Sequence, residues 1–382
     1  MTQDDWIPLN KPFLGVEEEN AVLEVLRSGD LGGNGKMCRQ VESLLREMLG
    51  VRHALLTPSC THALELALMT LDVGLGDEVI LPSFTFTTTA TAVLRQRARP
   101  VFAEVEPDTL NVDVADIVRR ITPRTRAIIP VHYAGQGCDM PRLMELARKH
   151  GVPVVEDAAH GVGARFAGKY LGTIGTVGCL SFHSTKNVTG GEAGACLMDE
   201  DQLARRAEVI QEKGTNRTQF LRGEVDKYTW VDIGSSFVLS DLLAAVLLMQ
   251  LRKLPEINRR RQALCDRYAA TFEPLADAGR CTLLRLDPRA EPNGHLFVML
   301  VEPAQRDSIL RALKARKIGA TFHYIPLHSS PFGQRLGYRP GDLPITERVS
   351  ESLIRLPVYP QMTDEEFERV VAAVYTAFDE VA

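Results

Sequence analysis

The chain has 382 residues, beyond the size at which one hydrophobic core usually stops growing, so two packed domains are expected. Hydrophobic residues make up 45% and charged residues 24%, the balance of a globular protein and not of a disordered or membrane-inserted one. The formal net charge of −5, with no long Lys/Arg run, excludes the electrostatic footprint of a nucleic-acid binder.

The first fifteen residues, MTQDDWIPLNKPFLG, carry neither a basic n-region nor an apolar h-region, so no signal peptide is read and a cytoplasmic location is expected. The seven cysteines are odd in number and contain no Cys-x-x-Cys pair, which argues for a reducing compartment and against a zinc site. Helical periodicity then opens the chain at Glu17 to Ser28 and Gln40 to Leu49. Strand-length apolar runs follow: HALLT, EVILP, RPVFAEV, RAIIPV, VPVVEDA and VGCLSF. Between them lie helix-length segments at Thr61 to Leu71, Thr87 to Gln96, Val114 to Arg120 and Met140 to His150. The alternation predicts an α/β fold with a mostly parallel sheet covered on both faces by helices.

After Met198 the helices lengthen. One begins at Ser240-Asp241, where the hydroxyl or carboxylate can cap it, and Pro255 is expected to kink or stop it. Beyond that come strand-like HLFVMLVE and ATFHYI around helical DSILRALKARK, then a terminal helix, DEEFERVVAAVYTAF. The reading divides the chain into a large domain, 1–253, and a smaller α+β domain, 254–382.

Ligands of doubly wound sheets sit beyond the carboxyl ends of the strands, and three such ends carry chemistry. In TPSCTHALELAL a strand ends in small residues and a helix begins, offering amides and a helix dipole to a phosphate; Ser59 or Thr61 acting merely as a helix cap is the commoner explanation. In VPVVEDAAHGVG, Asp157 ends an almost wholly apolar strand and needs a cation or several donors; a cap or a ribose ligand are the alternatives. His160, three residues on, is placed either beside a ligand or on the surface. In VGCLSFHSTKNVTGGEAG a strand delivers Ser181, His183 and Lys186, with glycines to turn the chain back. A desolvated lysine is a nucleophile toward aldehydes, although most lysines are simply solvated. The ordered set of phosphate turn, apolar strand with Asp157 and Ser181 followed by Lys186 suits pyridoxal 5'-phosphate (PLP), whose pyridine nitrogen a carboxylate keeps protonated. No G-x-G-x-x-G follows the first strand, which disfavours a plain dinucleotide-binding domain.

The segments LLTPSCT, EVILPSFTF, PVHYAGQ, VVEDAAHGVG, SFHSTKN, EKGTNR and VDKYTWVDIGSS resemble the DegT/DnrJ/EryC1/StrS family of sugar aminotransferases, of PLP fold type I, over nearly the whole chain. The resemblance implies that Lys186 holds the cofactor and acts as acid and base. Asp157 then faces the pyridine nitrogen, and Ser59, Cys60, Thr61 and Ser181 cup the phosphate. Cys60 stands where many relatives have glycine, with its amide still free to donate. Phe86 matches the aromatic residue that covers the ring, a core position being its alternative, and His160 matches a Gln or His position. Many relatives bring an asparagine from the neighbouring subunit to the phosphate; here the stretch is GSSFVLSD, so Ser235 or Ser236 would substitute. Arg217 is the preferred nucleotide-pyrophosphate ligand in a charged loop that can equally be solvated. A dehydratase branch replaces the lysine with histidine, so Lys186 favours the aminotransferase branch.

The resemblance further implies a homodimer with shared active sites, and a nucleotide keto sugar and glutamate as substrates. It points to amination of dTDP-4-keto-6-deoxyglucose to the 4-amino-4,6-dideoxygalactose product. Two alternatives stay open: another nucleotide-linked keto sugar, at C3 or with the opposite C4 configuration, and a ligand-sensing regulator on the same scaffold.

Overall fold

The computed structural model describes residues 5–381. Seven strands build the central sheet: β1 (His53–Thr57), β2 (Glu78–Pro82), β3 (Arg99–Ala103), β4 (Thr125–Ile128), β5 (Val155–Asp157), β6 (Val177–Ser181) and β7 (Gly194–Met198). Parallel bridges from Ile128 to Val154 and from Val131 to Asp157 join two ladders into the order β3-β2-β4-β5-β6-β7-β1. All neighbours are parallel except at β7, which runs antiparallel to both β6 and β1. The sheet is thus mostly parallel as expected, with one reversed strand that returns the chain directly after the glycine-rich turn.

Period-two patterning explains the two layers. Leu56, Ile80, Val154, Leu180 and Leu197 point to one face, where α2 (Lys36–Leu49), α6 (Met140–His150) and α9 (Asp241–Asp277) pack. Leu55, Val79, Leu81, Val155, Val177 and Met198 point to the other, under α3 (Cys60–Thr70), α4 (Thr87–Arg95) and α7 (Asp201–Gln211). The remaining helices before α9 are α1 (Val16–Ser28), α5 (Val114–Arg120) and short α8 (Arg217–Leu221).

Ser240 caps α9 by accepting from the Leu242 amide, but the helix then runs 37 residues straight through Pro255. The helix does not stop at Pro255 because the apolar stripe, Leu251, Leu254, Ile257, Leu264 and Tyr268, stays buried on both sides of the proline; packing outweighs one lost backbone bond. Position 254 therefore falls inside a continuous helix. Its second half packs Tyr268 and Phe272 against Phe297, Met299, Ile354, Leu356, Phe367 and Val374. These residues come from β8 (Phe297–Leu300), β9 (Leu353–Leu356), antiparallel to each other, and the terminal helix Asp364–Glu380. ATFHYI does not form the expected strand. Only Thr321 pairs with Arg355, after which the chain leaves the sheet and turns His323 and Tyr324 toward the large domain's strand ends. Among the described residues no helix is long and apolar enough to cross a membrane.

Candidate active site

A cavity of about 750 Å³ opens beyond the carboxyl ends of β1, β5 and β6, within the range of small-molecule sites. Ser59, Cys60, Thr61, Phe86, Asp157, His160, Ser181 and Lys186 all line it, so segments as far apart as 59 and 186 converge as expected.

At one end the β1–α3 turn presents the N-terminus of α3. Ser59 is its N-cap, its hydroxyl accepting from the His62 amide at 3.2 Å, so the capping role and the cavity position coexist. The same hydroxyl lies 3.2 Å from His62 Nδ1, a second partner for its proton, so the first amides of the helix and the Ser181 and Thr61 hydroxyls are the donors left free for an anion. The turn lies tightly on β7: a Cβ on Gly194 would stand 2.4 Å from the Ser59 carbonyl carbon and 2.6 Å from the Cys60 nitrogen. Glycine is required there by space, not by dihedral angle.

Asp157 is 4% exposed, and no helix follows it; residues 158–163 form turns, which removes the capping alternative. Thr89 Oγ1 donates to Oδ2 at 2.8 Å and the Ala159 amide to Oδ1 at 3.2 Å. Burial raises its pKa, opposed by those two bonds and by the charge of Lys186. Among the described residues no ion pair is formed by this carboxylate, so a cationic ligand atom is the partner its position suits.

Lys186 leaves a turn of the chain after β6 and makes no hydrogen bond through Nζ among the described residues. Its neighbour Asn187 is locked by bonds to Asn258 (2.8 Å), the Asn293 carbonyl (3.0 Å) and His295 Nδ1 (2.7 Å), which fixes where the lysine emerges. Burial lowers its pKa to about 8, with Arg355 adding to the effect and Cys60 and Asp157 opposing it. Such an amine is uncharged often enough at neutral pH to attack an aldehyde.

Phe86 is 57% exposed at the N-cap of α4, so it is no core residue; it borders the cavity within 6.5 Å of the Tyr324 ring. His160 is buried, not on the surface. Its Nδ1 accepts from the Ala134 amide at 3.3 Å, which places the proton on Nε2, facing the Tyr324 hydroxyl at 3.4 Å. Burial holds its pKa well below the usual range, so the ring is neutral.

Two expected residues lie elsewhere. Arg217 pairs loosely with Glu212 at 3.7 Å, and Ser236 bridges the same Glu212 through the backbone; neither lines the cavity of its own chain. Conversely, Thr85, His295 and Arg355 line it although the sequence offered no local signal for them, and so do His323 and Tyr324, which were expected within a strand. Thr89, likewise unflagged, acts through Asp157.

The residues present fit PLP: helix amides and hydroxyls for a phosphate, a buried carboxylate lacking a cation for a ring nitrogen, and a low-pKa lysine for an aldehyde. A protein-family model, the DegT/DnrJ/EryC1/StrS aminotransferase family, matches residues 12–375. The aminotransferase TlmJ from Streptoalloteichus hindustanus is similar at 32% identity and TM-score 0.91, over 99% of this chain and 100% of that one. The PLP-form of Spr1654 from Streptococcus pneumoniae is similar at 27% identity and TM-score 0.91, over 99% and 100%. PseC of Helicobacter pylori, an aminotransferase involved in pseudoaminic acid biosynthesis, is similar at 27% identity and TM-score 0.88, over 98% and 100%.

Proposed function

Because the chain belongs to the DegT/DnrJ/EryC1/StrS aminotransferase family, and is thus a PLP-dependent sugar aminotransferase, we propose that it aminates dTDP-4-keto-6-deoxyglucose to dTDP-4-amino-4,6-dideoxygalactose with glutamate as donor. The observation that carries the catalytic assignment is the convergence of Lys186, Asp157 and the β1–α3 turn on one cavity.

PLP, when bound, supplies an electron sink for the carbon that gains or loses the amino group. The chain's own residues do the rest. Lys186 Nζ would hold the cofactor through its aldehyde; once the donor's amino group has displaced it, the freed amine is placed to take the donor's α-proton and, in the reverse direction, to return a proton for the keto sugar. Asp157 would face the ring nitrogen, where a protonated ring favours its charged form, as Thr89 and the Ala159 amide do against burial. Ser181, Thr61 and the α3 amides orient the phosphate, and Phe86 screens the ring from water. Neutral His160 donates from Nε2 without repelling Lys186.

The reading includes a homodimer in which residues 214–236 reach the neighbour's cavity, with Ser236 near the phosphate and Arg217 toward the sugar nucleotide. In support, this loop exposes Trp230 by 77%, Ile233 by 66% and Leu221 by 66%, apolar surface suited to burial against a second chain.

The test is incubation of PLP-loaded protein with glutamate and a panel of nucleotide keto sugars, followed by NMR of the new amine. An axial C4 amine from dTDP-4-keto-6-deoxyglucose is expected. Amination at C3, or the equatorial C4 epimer, would assign another sugar; no transfer to any sugar would favour a ligand-sensing role.

A further inference from the structure

A buried arginine and a half-buried one lie near the cavity, and their surroundings differ. Arg261, on α9, gives its donors to the Gly294 carbonyl (3.1 Å), the His295 carbonyl (2.7 Å) and Asn10 Oδ1 (3.0 Å), a satisfied structural cation. Arg355, on β9, lines the cavity itself, yet among the described residues its side chain has a single hydrogen-bond partner, His323 Nε2. Its Nε is shut away from solvent with no acceptor, and it forms no ion pair with any described carboxylate. The cavity's exposed acid, Glu192, is instead 3.3 Å from His183. A half-satisfied guanidinium in a low-dielectric pocket is costly unless an anion completes it.

We propose that Arg355 binds the α-carboxylate of the amino-acid donor. This rests on the aminotransferase reading above. The guanidinium fork matches a carboxylate bidentately, which no other group lining the cavity can do. Its position is set by a rigid stack. His323 accepts from Arg355 at Nε2, so its proton sits on Nδ1, 3.1 Å from the Tyr133 hydroxyl, while the Tyr324 ring stacks on His323 at 4.0 Å. Burial, with Arg355 adding, takes the His323 pKa down to about 2, so the ring stays neutral and does not repel the anion. The cofactor's own charges are answered elsewhere, by Asp157 at the ring nitrogen and by the α3 turn at the phosphate. Arg355 also lies near enough to Lys186 to depress its pKa. The α-carboxylate is one bond from the carbon whose proton Lys186 moves, whereas the pyrophosphate of a nucleotide sugar hangs across the ring from a C4 ketone. A cation beside the lysine therefore suits the carboxylate.

The experiment uses PLP-loaded wild type, Arg355→Gln and Arg355→Lys, titrated calorimetrically with 2-methylglutamate, which keeps the α-carboxylate but has no α-proton to lose. Loss of a charge-assisted pair should weaken binding at least about tenfold in Arg355→Gln, with Arg355→Lys between, because lysine keeps the charge and loses the fork. Binding of the keto sugar to the pyridoxamine form should be unchanged. Equal 2-methylglutamate affinity in the variants would overturn the proposal, and so would a parallel loss of sugar binding, which would assign Arg355 to the sugar nucleotide. If Arg355→Gln fails to fold or load cofactor, as judged by melting and absorbance, Arg355→Lys alone decides by the same criterion. A wild type that binds 2-methylglutamate through Arg355 but transfers no amine would sink the functional reading and leave the subsite standing.

Discussion

Replacing Asp157 with asparagine removes one charge from a residue only 4% exposed, where the carboxylate has only the Thr89 hydroxyl at 2.8 Å and the Ala159 amide at 3.2 Å as donors. Shape is nearly unchanged, and Thr85, 2.9 Å from Thr89, can accept the Thr89 proton so that the Thr89 oxygen accepts from the new amide. The loss is therefore electrostatic: one partner of a buried ion pair with the protonated ring nitrogen. Breaking such a pair costs about 3–5 kcal/mol, roughly two to three and a half orders of magnitude in rate if the pair is fully used in the transition state. The glutamate half-reaction, followed in single turnover by the cofactor's absorbance, should slow by that factor. PLP should remain bound, because Lys186 and the phosphate turn are untouched. A half-reaction within tenfold of wild type would refute the pairing of Asp157 with the ring nitrogen.

Three further outcomes follow from the same geometry. Lys186, held at about 8 in the unloaded protein against an ordinary 10.5, should capture PLP at a rate that rises with pH and levels off above about 8; a rate still climbing beyond pH 10 would mean an unperturbed amine. The same depression makes the unfolded chain bind more protons between those two values, so unloaded wild type should gain stability relative to Lys186→Met as pH rises through that window, read from denaturant melts. Gly194→Ala would press a methyl into the Ser59–Cys60 backbone; overpacking of about 1–3 kcal/mol should weaken PLP binding by about tenfold or more, and wild-type affinity would show that the turn is not the phosphate site. For the shared site, isolated mixed dimers of Lys186→Ala and Ser236→Val chains should regain activity at one of two sites, about a quarter of wild type in a random mixture if each lesion inactivates fully, and activity no higher than the parents would refute trans assembly.

Much of the large domain was legible because its signals are local. HALLT and EVILP are β1 and β2 to the residue, and Val114–Arg120 and Met140–His150 match α5 and α6, since period-two and period-3.6 patterns were not contradicted by packing. Asp157 and Lys186 could be found because the one ends an apolar strand and the other lies in the turn that follows one, where the fold gathers its ligands. What was hidden depends on contacts between distant segments. Pro255 reads as a breaker until the buried stripe through Tyr268 is seen. ATFHYI has strand composition, but the chain abandons β9 after Thr321 to place His323 and Tyr324 in the cavity. Arg355 lies in LIRLP with no motif around it; only the fold shows a guanidinium without an anion. Arg217 and Ser236 lie off their own chain's cavity, and only the proposed second chain would bring them to one.

The central claim is that Lys186 carries the cofactor. Reducing the yellow PLP-loaded protein with borohydride and mapping the peptides should place a single pyridoxyl adduct on Lys186, with none formed in Lys186→Ala. An adduct on another lysine, or no adduct in fully loaded enzyme, would contradict the account.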